Sequence, residues 1–416
     1  MLEMFTTASI WMALAVFATI LANRLKISIA LMEITIGAVA GYLAVRYFNP
    51  EIFKADSDFI KFIAGSGAVL LTFLAGSELD PGSLKTKFKE VTVVGLIGFF
   101  APFIGCTAVA YYGLGWDYRA SLLAGVALST TSIAVVYAVM IEYGFNKTEF
   151  GKGILGACFI NDLGTVIALG LIFAPFTYKT LILAAVCVGA IFILPPLTKK
   201  ITRLYGNKTA AIRTKWLIFV LFTFGAIALW AGSEAVLPAY IIGMAVAGSV
   251  SKDEFFIRRL RTLTIGFLTP IFFLRTGFLV SIPAILAAPV VFLVLLGSKI
   301  VSKTLGLYPV ISKFRVSKKE RWYYTLLMST GLTFGSISAL YGLTNGIITQ
   351  EQYSFLIAAI VASAVVPTLI ANAAFLPEHL LERPVPDEQM PGLDTIDEGF
   401  ETRNGSDDFF KDRMDR

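Results

Sequence analysis

The sequence predicts an all-α polytopic membrane protein with about 13 transmembrane helices, and two observations support this fold class. Of the 416 residues, 56% are hydrophobic and only 15% are charged, and the mean hydropathy is +0.75. A soluble domain of this length cannot bury so large an apolar fraction. Apolar stretches of roughly 17 to 25 residues recur along most of the chain, and each is long enough as a helix to cross a hydrocarbon core of about 30 Å. The sequence pattern lacks the short alternating strands of a membrane barrel.

Each predicted span is an apolar run bounded by charged or Gly/Pro-containing segments. In chain order, the spans are expected at about residues 7–23, 27–48, 60–79, 90–114, 119–141, 152–175, 178–198, 214–232, 236–250, 262–281, 283–307, 322–342 and 352–375. They form a transmembrane domain over residues 1–377. After Pro377 the composition becomes polar and acidic, which predicts a disordered cytoplasmic tail over residues 378–416.

Basic residues between the spans predict the orientation of the chain, because cytoplasmic loops hold an excess of Lys and Arg. With the N-terminus outside, one side of the membrane receives Arg24, Lys26, Lys85, Lys87, Lys89, Lys147, Lys152 and the basic residues of segments 199–215, 252–261 and 313–321. The other side receives only Arg46, Lys54, Lys61, Arg119 and Lys179. An outside N-terminus and a cytoplasmic C-terminus, in the cell (inner or cytoplasmic) membrane, are therefore expected. The net charge of +6 reflects this orientation, so no nucleic-acid partner is expected.

Residues with reactive side chains are too scattered to predict an enzyme. Cys106, Cys158 and Cys187 fall within predicted spans, where cysteines behave as small apolar residues. The single histidine, His379, follows the last span, so the spans contain no histidine for a metal site or a nucleophile–base pair. We therefore expect neither enzymatic activity nor a resident cofactor.

Ionisable residues near the middle of a span are candidate functional residues, because each costs on the order of 2.5–3.5 kcal/mol to insert. Asp162, in "FINDLGTV", is the only charged residue of its apolar run, and Asn161 precedes it. The alternative role for Asp162 is a protonated carboxyl that hydrogen-bonds a neighbouring helix. Glu33 and Glu78 lie nearer to span ends, where a helix-packing role and a transport role fit the sequence equally well.

Three basic residues also interrupt apolar spans. Arg275, in "TPIFFLRTGFLV", is expected to pair with a buried acid or with backbone carbonyls, and Glu33 and Glu78 are both candidates. Lys299 and Lys303 are four positions apart in the next span, so both lie on one helix face. The alternative for Lys303 is that its ammonium extends to the cytoplasmic interface.

Two uncharged polar clusters interrupt distant spans. Residues 129–132 read "STTS" in the fifth span, and residues 329–338 read "STGLTFGSIS" in the twelfth. Hydroxyl-rich, glycine-containing interruptions at mid-depth are typical of discontinuous helices, whose freed backbone groups line a cavity or bind protein partners. The similarity of the two clusters indicates an internal repeat, in which two broken helices cross beside Asp162. The alternative is that each hydroxyl bonds a carbonyl of its own helix.

The motifs resemble those of one transporter family. "INDLGTVIALGLIF" resembles the "DDLG" segment of bacterial sodium/proton antiporters, and "ALSTTSIAV" resembles their Thr-containing unwound helix one span earlier. "FLAGSELDPGSLK", "LPAYIIGMAVAG", "TPIFFLRTGFLV" and "SKTLG" also match. Over residues 8–375 the chain is similar to the monovalent cation/proton antiporter-2 family, within the wider sodium/hydrogen exchanger group.

The resemblance implies a fold, an activity and site residues. Asp162 would bind either cation or proton, with Asn161 beside it, and the unwound helix would contain Thr130, Thr131 and Ser132. Lys303 would be the basic residue that approaches the site, with Lys299 as the alternative. The family fold has inverted repeats, a mobile core domain and a dimerisation domain, and it transports by an elevator-like movement. The implied partners are a monovalent cation (Na⁺ favoured, K⁺ the alternative), the proton, the lipid bilayer and a second copy of the chain.

Asn161 departs from the family pattern, because many electrogenic members have two adjacent aspartates. An amide can offer a carbonyl oxygen to a cation but cannot carry a proton. We therefore expect exchange of about one proton per cation, which is near electroneutral. A lysine that itself gains and loses a proton would restore a second one.

Three other classes of function remain open from the residues alone. A channel would conduct passively, but the chain lacks a carbonyl-filter motif such as T-V-G-Y-G. A Na⁺-coupled organic-anion carrier would need basic or amide groups facing its substrate, and Arg275 keeps that alternative open. A membrane enzyme is disfavoured by the missing nucleophile–base pair.

Overall fold

The computed structural model describes residues 1–25, 28–47, 50–77, 87–143, 145, 148–173, 177–205, 211–233, 235–250 and 254–380. In these residues the chain is helical and forms no strand, which confirms the predicted fold class. The helices are α1 (Leu2–Leu25), α2 (Ile29–Tyr47), α3 (Asp58–Ser77), α4 (Phe88–Ala108), α5 (Tyr118–Ser129), α6 (Ile133–Glu142), α7 (Glu149–Phe173), α8 (Tyr178–Tyr205), α9 (Ile212–Trp230), α10 (Val236–Val250), α11 (Glu254–Leu263), α12 (Thr269–Phe278), α13 (Ile282–Ala287), α14 (Pro289–Ile311), α15 (Lys318–Met328), α16 (Thr333–Thr344) and α17 (Gln350–Ala374).

Ten helical segments among the described residues are long and apolar enough to cross a membrane, so the chain is a multi-pass membrane protein. Among the described residues every predicted span overlaps helix, whereas the exact number of spans stays a prediction. The span predicted at 262–281 begins earlier, because α11 continues through a π-helical turn, Thr264–Leu268, into α12. The span predicted at 283–307 is divided at Ala288, which leaves the helical conformation because Pro289 follows it.

The helices pack as two groups of neighbours. The crossing group contains α4–α7 and α13–α17, and the flanking group contains α1–α3 and α8–α12. Within the flanking group α2 packs on α12 and α3 packs on α10, while α10 also packs on α7 of the crossing group. The predicted division into a core and a dimerisation domain remains a prediction that this grouping accommodates.

A glycine allows the close packing of α2 on α12. A Cβ atom at Gly37 would collide with the backbone carbonyl oxygen of Leu274, so a larger residue would force the two helices apart. Small residues at such positions let backbones approach, which is how helices gain dispersion contacts in a bilayer.

Two similar sets of helices make up most of the crossing group. In each set a long helix (α4 or α14) is followed by a broken helix (α5/α6 or α15/α16) and a second long helix (α7 or α17). The first helices of the two sets are antiparallel, since Glu90 near the start of α4 bonds Arg315 just beyond α14. At the other end of α4, Cys106 contacts Ser302 in the middle of α14. The sets therefore run in opposite directions, as the predicted inverted repeat requires.

The predicted tail, residues 378–416, lies outside the described residues except for 378–380, where Glu378–Leu380 forms a short 3₁₀ turn.

Candidate functional site

Both predicted helix breaks are present. α5 ends at Ser129, Thr130 adopts an extended conformation (φ −62°, ψ 153°), and α6 begins at Ile133. α15 ends at Met328, and α16 begins at Thr333. Ser and Thr offer the backbone alternative hydrogen bonds, which is why they favour helix ends over helix interiors.

The two breaks bind each other directly. The Thr131 hydroxyl donates to the Met328 carbonyl oxygen at 2.9 Å, and the Ser132 backbone N–H donates to Thr330 Oγ1 at 3.4 Å. These bonds join residues almost 200 positions apart in the chain. They also satisfy backbone groups that the broken helices leave without an intrahelical partner, as the interior of a membrane protein demands.

The other hydroxyls of the breaks cap their own helices. Thr130 Oγ1 donates to the Ala127 carbonyl at 3.1 Å, and Thr330 Oγ1 donates to the Leu327 carbonyl at 2.7 Å. Ser132 Oγ accepts from the Val135 N–H at 3.4 Å, which is an N-cap bond for α6. The sequence offered local hydrogen bonds as the alternative to a crossing of broken helices. In the structure these hydroxyls make the local bonds, and the crossing is also present.

Asp162 and Asn161 lie on α7 beside this crossing. Asp162 is 1% exposed and Asn161 is fully buried, and the backbone N–H of Thr131 faces the Asp162 carboxyl. Asp162 Oδ1 and both polar atoms of the Asn161 amide make no hydrogen bond to the described part of the chain. Buried polar atoms are nearly always satisfied in proteins, so three neighbouring exceptions indicate a place for a bound ion or water.

Both candidate lysines reach the crossing. Lys303 Nζ donates to Thr131 Oγ1 at 2.9 Å, and Lys299 Nζ donates to the Thr130 carbonyl at 3.2 Å. Both side chains are fully buried, so Lys303 does not extend to the cytoplasmic interface. They belong to a buried stripe on α14 with a residue at every fourth position: Leu295, Lys299, Lys303, Leu307 and Ile311.

The lysines place positive charge where the chain has negative partial charge. Lys299 binds the carbonyl at the C-terminal end of α5, where the helix dipole is negative. Both ammonium groups attract the Asp162 carboxylate, Lys303 more strongly than Lys299. Among the described residues, Asp162 is the only carboxylate that acts on either ammonium group.

The remaining predicted charges lie elsewhere. Arg275 binds the Ala55 carbonyl through Nε at 2.7 Å and the Asp56 carboxylate through an Nη at 3.2 Å. The expected backbone carbonyl is therefore present, whereas the acid among the described contacts is the exposed Asp56 in place of Glu33. Glu33 is buried on α2 in the flanking group, and Glu78 lies outside the described residues.

Two neighbours of Asp162 and Asn161 were not predicted. The hydroxyl of Tyr240 on α10 donates to the Phe159 carbonyl on α7 at 3.0 Å, which joins the flanking group to the helix that carries Asp162. Gly98 on α4 faces Asn161, since a Cβ atom there would lie 3.4 Å from the amide nitrogen. Tyr240 is the only polar aromatic residue in the quoted segment "LPAYIIGMAVAG", and that was its sole signal.

A buried carboxylate at the crossing of two broken helices, in an inverted repeat, defines a secondary transporter. Residues 12–375 match the profile of the family described as "Sodium/hydrogen exchanger, transmembrane", and the chain belongs to this family of transporters.

Several curated relatives match most of this chain in sequence. A probable Na⁺/H⁺ antiporter 3 from Methanocaldococcus jannaschii is 28% identical over 81% of this chain and 89% of its own length. An Na⁺/H⁺ antiporter from Enterococcus hirae is 24% identical over 84% of this chain and 92% of its own length. A glutathione-regulated potassium-efflux protein, KefC of Cronobacter sakazakii, is 24% identical over 74% of this chain and 51% of its own length.

A solved structure has the same fold. The sodium/proton antiporter MjNhaP1 from Methanocaldococcus jannaschii superposes with a TM-score of 0.70 and 16% identity. The match covers 91% of this chain and 99% of that one.

Proposed function

We propose that the protein exchanges Na⁺ for H⁺ across the membrane at Asp162, with about one proton per cation. The observation that carries this proposal is the buried set of hydrogen-bonding atoms without partners, Asp162 Oδ1 and the Asn161 amide, beside two broken helices. Membership of the sodium/hydrogen exchanger family supports the reaction class.

Proton and cation compete for the same carboxylate in this proposal. Ionised Asp162 offers hard oxygen ligands, and the Asn161 side-chain carbonyl offers another. When Asp162 is protonated, its charge is already neutralised and a cation has no counter-ion. Thr131 is a positioning residue in this proposal, because its hydroxyl already donates to Met328 and accepts from Lys303.

Coupling follows from the cost of moving an unneutralised charge. Movement of the crossing group with empty, ionised Asp162 would carry a carboxylate that has neither its proton nor its cation through a low-dielectric environment, whereas the two loaded forms avoid that cost. We propose that the crossing group moves as a unit against the flanking group, in an elevator-like alternating-access cycle. With one-to-one coupling, a pH difference of one unit, about 1.36 kcal/mol, sustains roughly a tenfold cation gradient.

The cation favoured is Na⁺. The names of the two relatives that match over most of their own length refer to Na⁺/H⁺ exchange. K⁺ is the alternative, because potassium-efflux proteins are also among the relatives. This chain matches about half of their length. A Na⁺-coupled organic-anion carrier is disfavoured, since the described contacts of Arg275 engage a carbonyl and Asp56.

We further propose a homodimer in the cell membrane, with the N-terminus outside and the C-terminus in the cytoplasm. The charge asymmetry of the connecting segments supports the orientation. A role in pH homeostasis would follow from the exchange itself.

The test is proton movement in proteoliposomes, reported by a pH-sensitive dye when Na⁺, K⁺ or Li⁺ is added. A pH gradient is first imposed across the liposome membrane. Wild-type protein is expected to dissipate this gradient when Na⁺ is added, and Asp162→Asn is expected to abolish the dissipation. Asp58→Asn neutralises an exposed acid at the start of α3 and serves as the matched control. Full activity of Asp162→Asn would refute Asp162 as the exchange site, and a response to K⁺ alone would replace Na⁺ with K⁺ as the transported cation.

Stoichiometry is tested by an imposed membrane potential. One proton per cation predicts that wild-type exchange is insensitive to voltage, whereas Asn161→Asp adds a second titratable carboxyl and is expected to introduce voltage dependence. A clear voltage dependence of the wild type would show that a further group, such as Lys303, carries a proton.

A further inference from the structure

An apolar cavity lies between the two helix groups, away from Asp162. Its volume is about 500 Å³, within the range of roughly 300–1,000 Å³ typical of sites for small ligands. The walls come from α3, α9, α10 and α12 of the flanking group and α16 of the crossing group, and they are mainly apolar, with Ala68, Leu221, Phe272 and Ile337 as examples.

Side chains that line the cavity are also exposed on the outside of the helices. Phe62 is 63% exposed, Phe222 is 41% exposed and Leu229 is 64% exposed. They belong to helices that are long and apolar enough to span the membrane, so we infer that these side chains face acyl chains. The cavity therefore adjoins acyl chains.

One part of the cavity wall is cationic. Lys61 and Arg275 both line the cavity, and both contact Asp56, at 3.8 Å and 3.2 Å. Two cations thus share one carboxylate, so these three groups together carry one net positive charge. Lys61 is the accessible member, because its side chain is 48% exposed whereas that of Arg275 is 4% exposed.

We propose that this cavity binds one acyl chain of an anionic phospholipid, with the lipid phosphate at Lys61. The apolar walls match the chain, the exposed aromatic side chains lead from the bilayer, and the ammonium matches the phosphate. This site is separate from the proposed exchange site, and its test does not depend on transport.

The experiment uses the full chain in liposomes that contain phosphatidylglycerol with a photoreactive diazirine on one acyl chain. After illumination, mass spectrometry is expected to find lipid adducts on the cavity faces of α3, α9 and α16. Gly65→Phe is expected to reduce these adducts at least fivefold, because a Cβ atom at Gly65, which lines the cavity, meets no atom within 4 Å and leaves room for the ring.

Gly266→Phe is the matched control. Gly266 is also an exposed helical glycine whose Cβ would meet nothing within 4 Å, but it does not line the cavity, so the adducts are expected to persist. If Gly65→Phe does not fold, Gly225→Leu fills the cavity from α9, where the added Cβ meets only the Ala235 Cβ, at 3.4 Å.

Lys61→Met tests the head-group contact. It is expected to lower labelling by the phosphatidylglycerol probe at least threefold and to leave labelling by a phosphatidylcholine probe unchanged. Cavity adducts that persist in Gly65→Phe, or equal labelling by both probes with no effect of Lys61→Met, would overturn the proposal. Absence of lipid adducts at these helices in the wild type would likewise overturn it.

Discussion

The ion pair between Glu90 and Arg315 is expected to hold the two inverted repeats together. Arg315 donates to Glu90 Oε1 through Nε at 3.1 Å and through Nη2 at 2.6 Å. The guanidinium also lies 5.2 Å from the centre of the Phe150 ring. One partner belongs to the first repeat and the other follows α14 of the second, so Arg315→Met removes a direct link between them.

The magnitude follows from how little water reaches the pair. The side chains are only 13% and 10% exposed. Breaking a buried pair costs about 3–5 kcal/mol and breaking a surface pair about 0–1 kcal/mol. We expect about 2–3 kcal/mol for Arg315→Met, because the residual exposure lets water partly solvate Glu90. Glu90→Gln in the same chain is expected to recover part of this loss, since it removes the unpaired charge.

The assay is the fraction of protein that stays monodisperse in detergent after heating. Arg315→Met is expected to lower the midpoint by at least about 4 °C, given about 2–4 °C per kcal/mol for domains of moderate size. Lys319→Met is the control, because it removes an ion pair to Glu378 whose side chains are 50% and 71% exposed. Equal shifts for the two variants, or additive losses in the double variant, would refute a stabilising link between the repeats.

Three further variants test the packing around the site. Gly95→Leu is expected to destabilise the protein in the same heating assay, because a Cβ there would lie 2.8 Å from a backbone oxygen of α7, whereas Gly65→Ala meets open space and should be neutral. Thr131→Val is expected to slow dye-reported exchange at least tenfold, because it leaves the Lys303 ammonium without its hydroxyl acceptor. Thr131→Ser keeps the hydroxyl and should retain near wild-type rates. Equal loss in both variants would contradict a role for the hydroxyl in positioning Lys303. Tyr240→Phe is expected to cost about 1 kcal/mol of stability, the value of one hydrogen bond, and an unchanged midpoint would show that this bond adds nothing.

The fold was largely predictable because the bilayer fixes the length and polarity of each helix. Apolar runs such as those of α4 and α7 can hardly adopt another structure in lipid. The breaks at 129–132 and 329–332 were predictable for a related reason, since clustered hydroxyls at mid-depth need a non-helical backbone or a local acceptor, and here both occur.

The partners within the site were harder to predict, because they depend on three-dimensional distances. Spacing placed Lys299 and Lys303 on one face, but only the structure shows that they bind neighbouring positions of the same break. The partner of Arg275, Asp56, lies in a connecting segment that has no periodicity to interpret. Tyr240 acts across the two helix groups, and a single sequence carries little information about such contacts.

The bonds between the two breaks also bear on how the chain is made. Thr131 is synthesised almost 200 residues before Met328, its hydrogen-bond acceptor. During that interval the first broken helix is in the bilayer without the groups that will satisfy it, and water, lipid head groups or insertion factors must meet its polar backbone. Nascent chains that end before residue 318 should therefore be the most vulnerable to quality-control proteases, and synthesis of α15 and α16 should mark the point at which the first half becomes resistant.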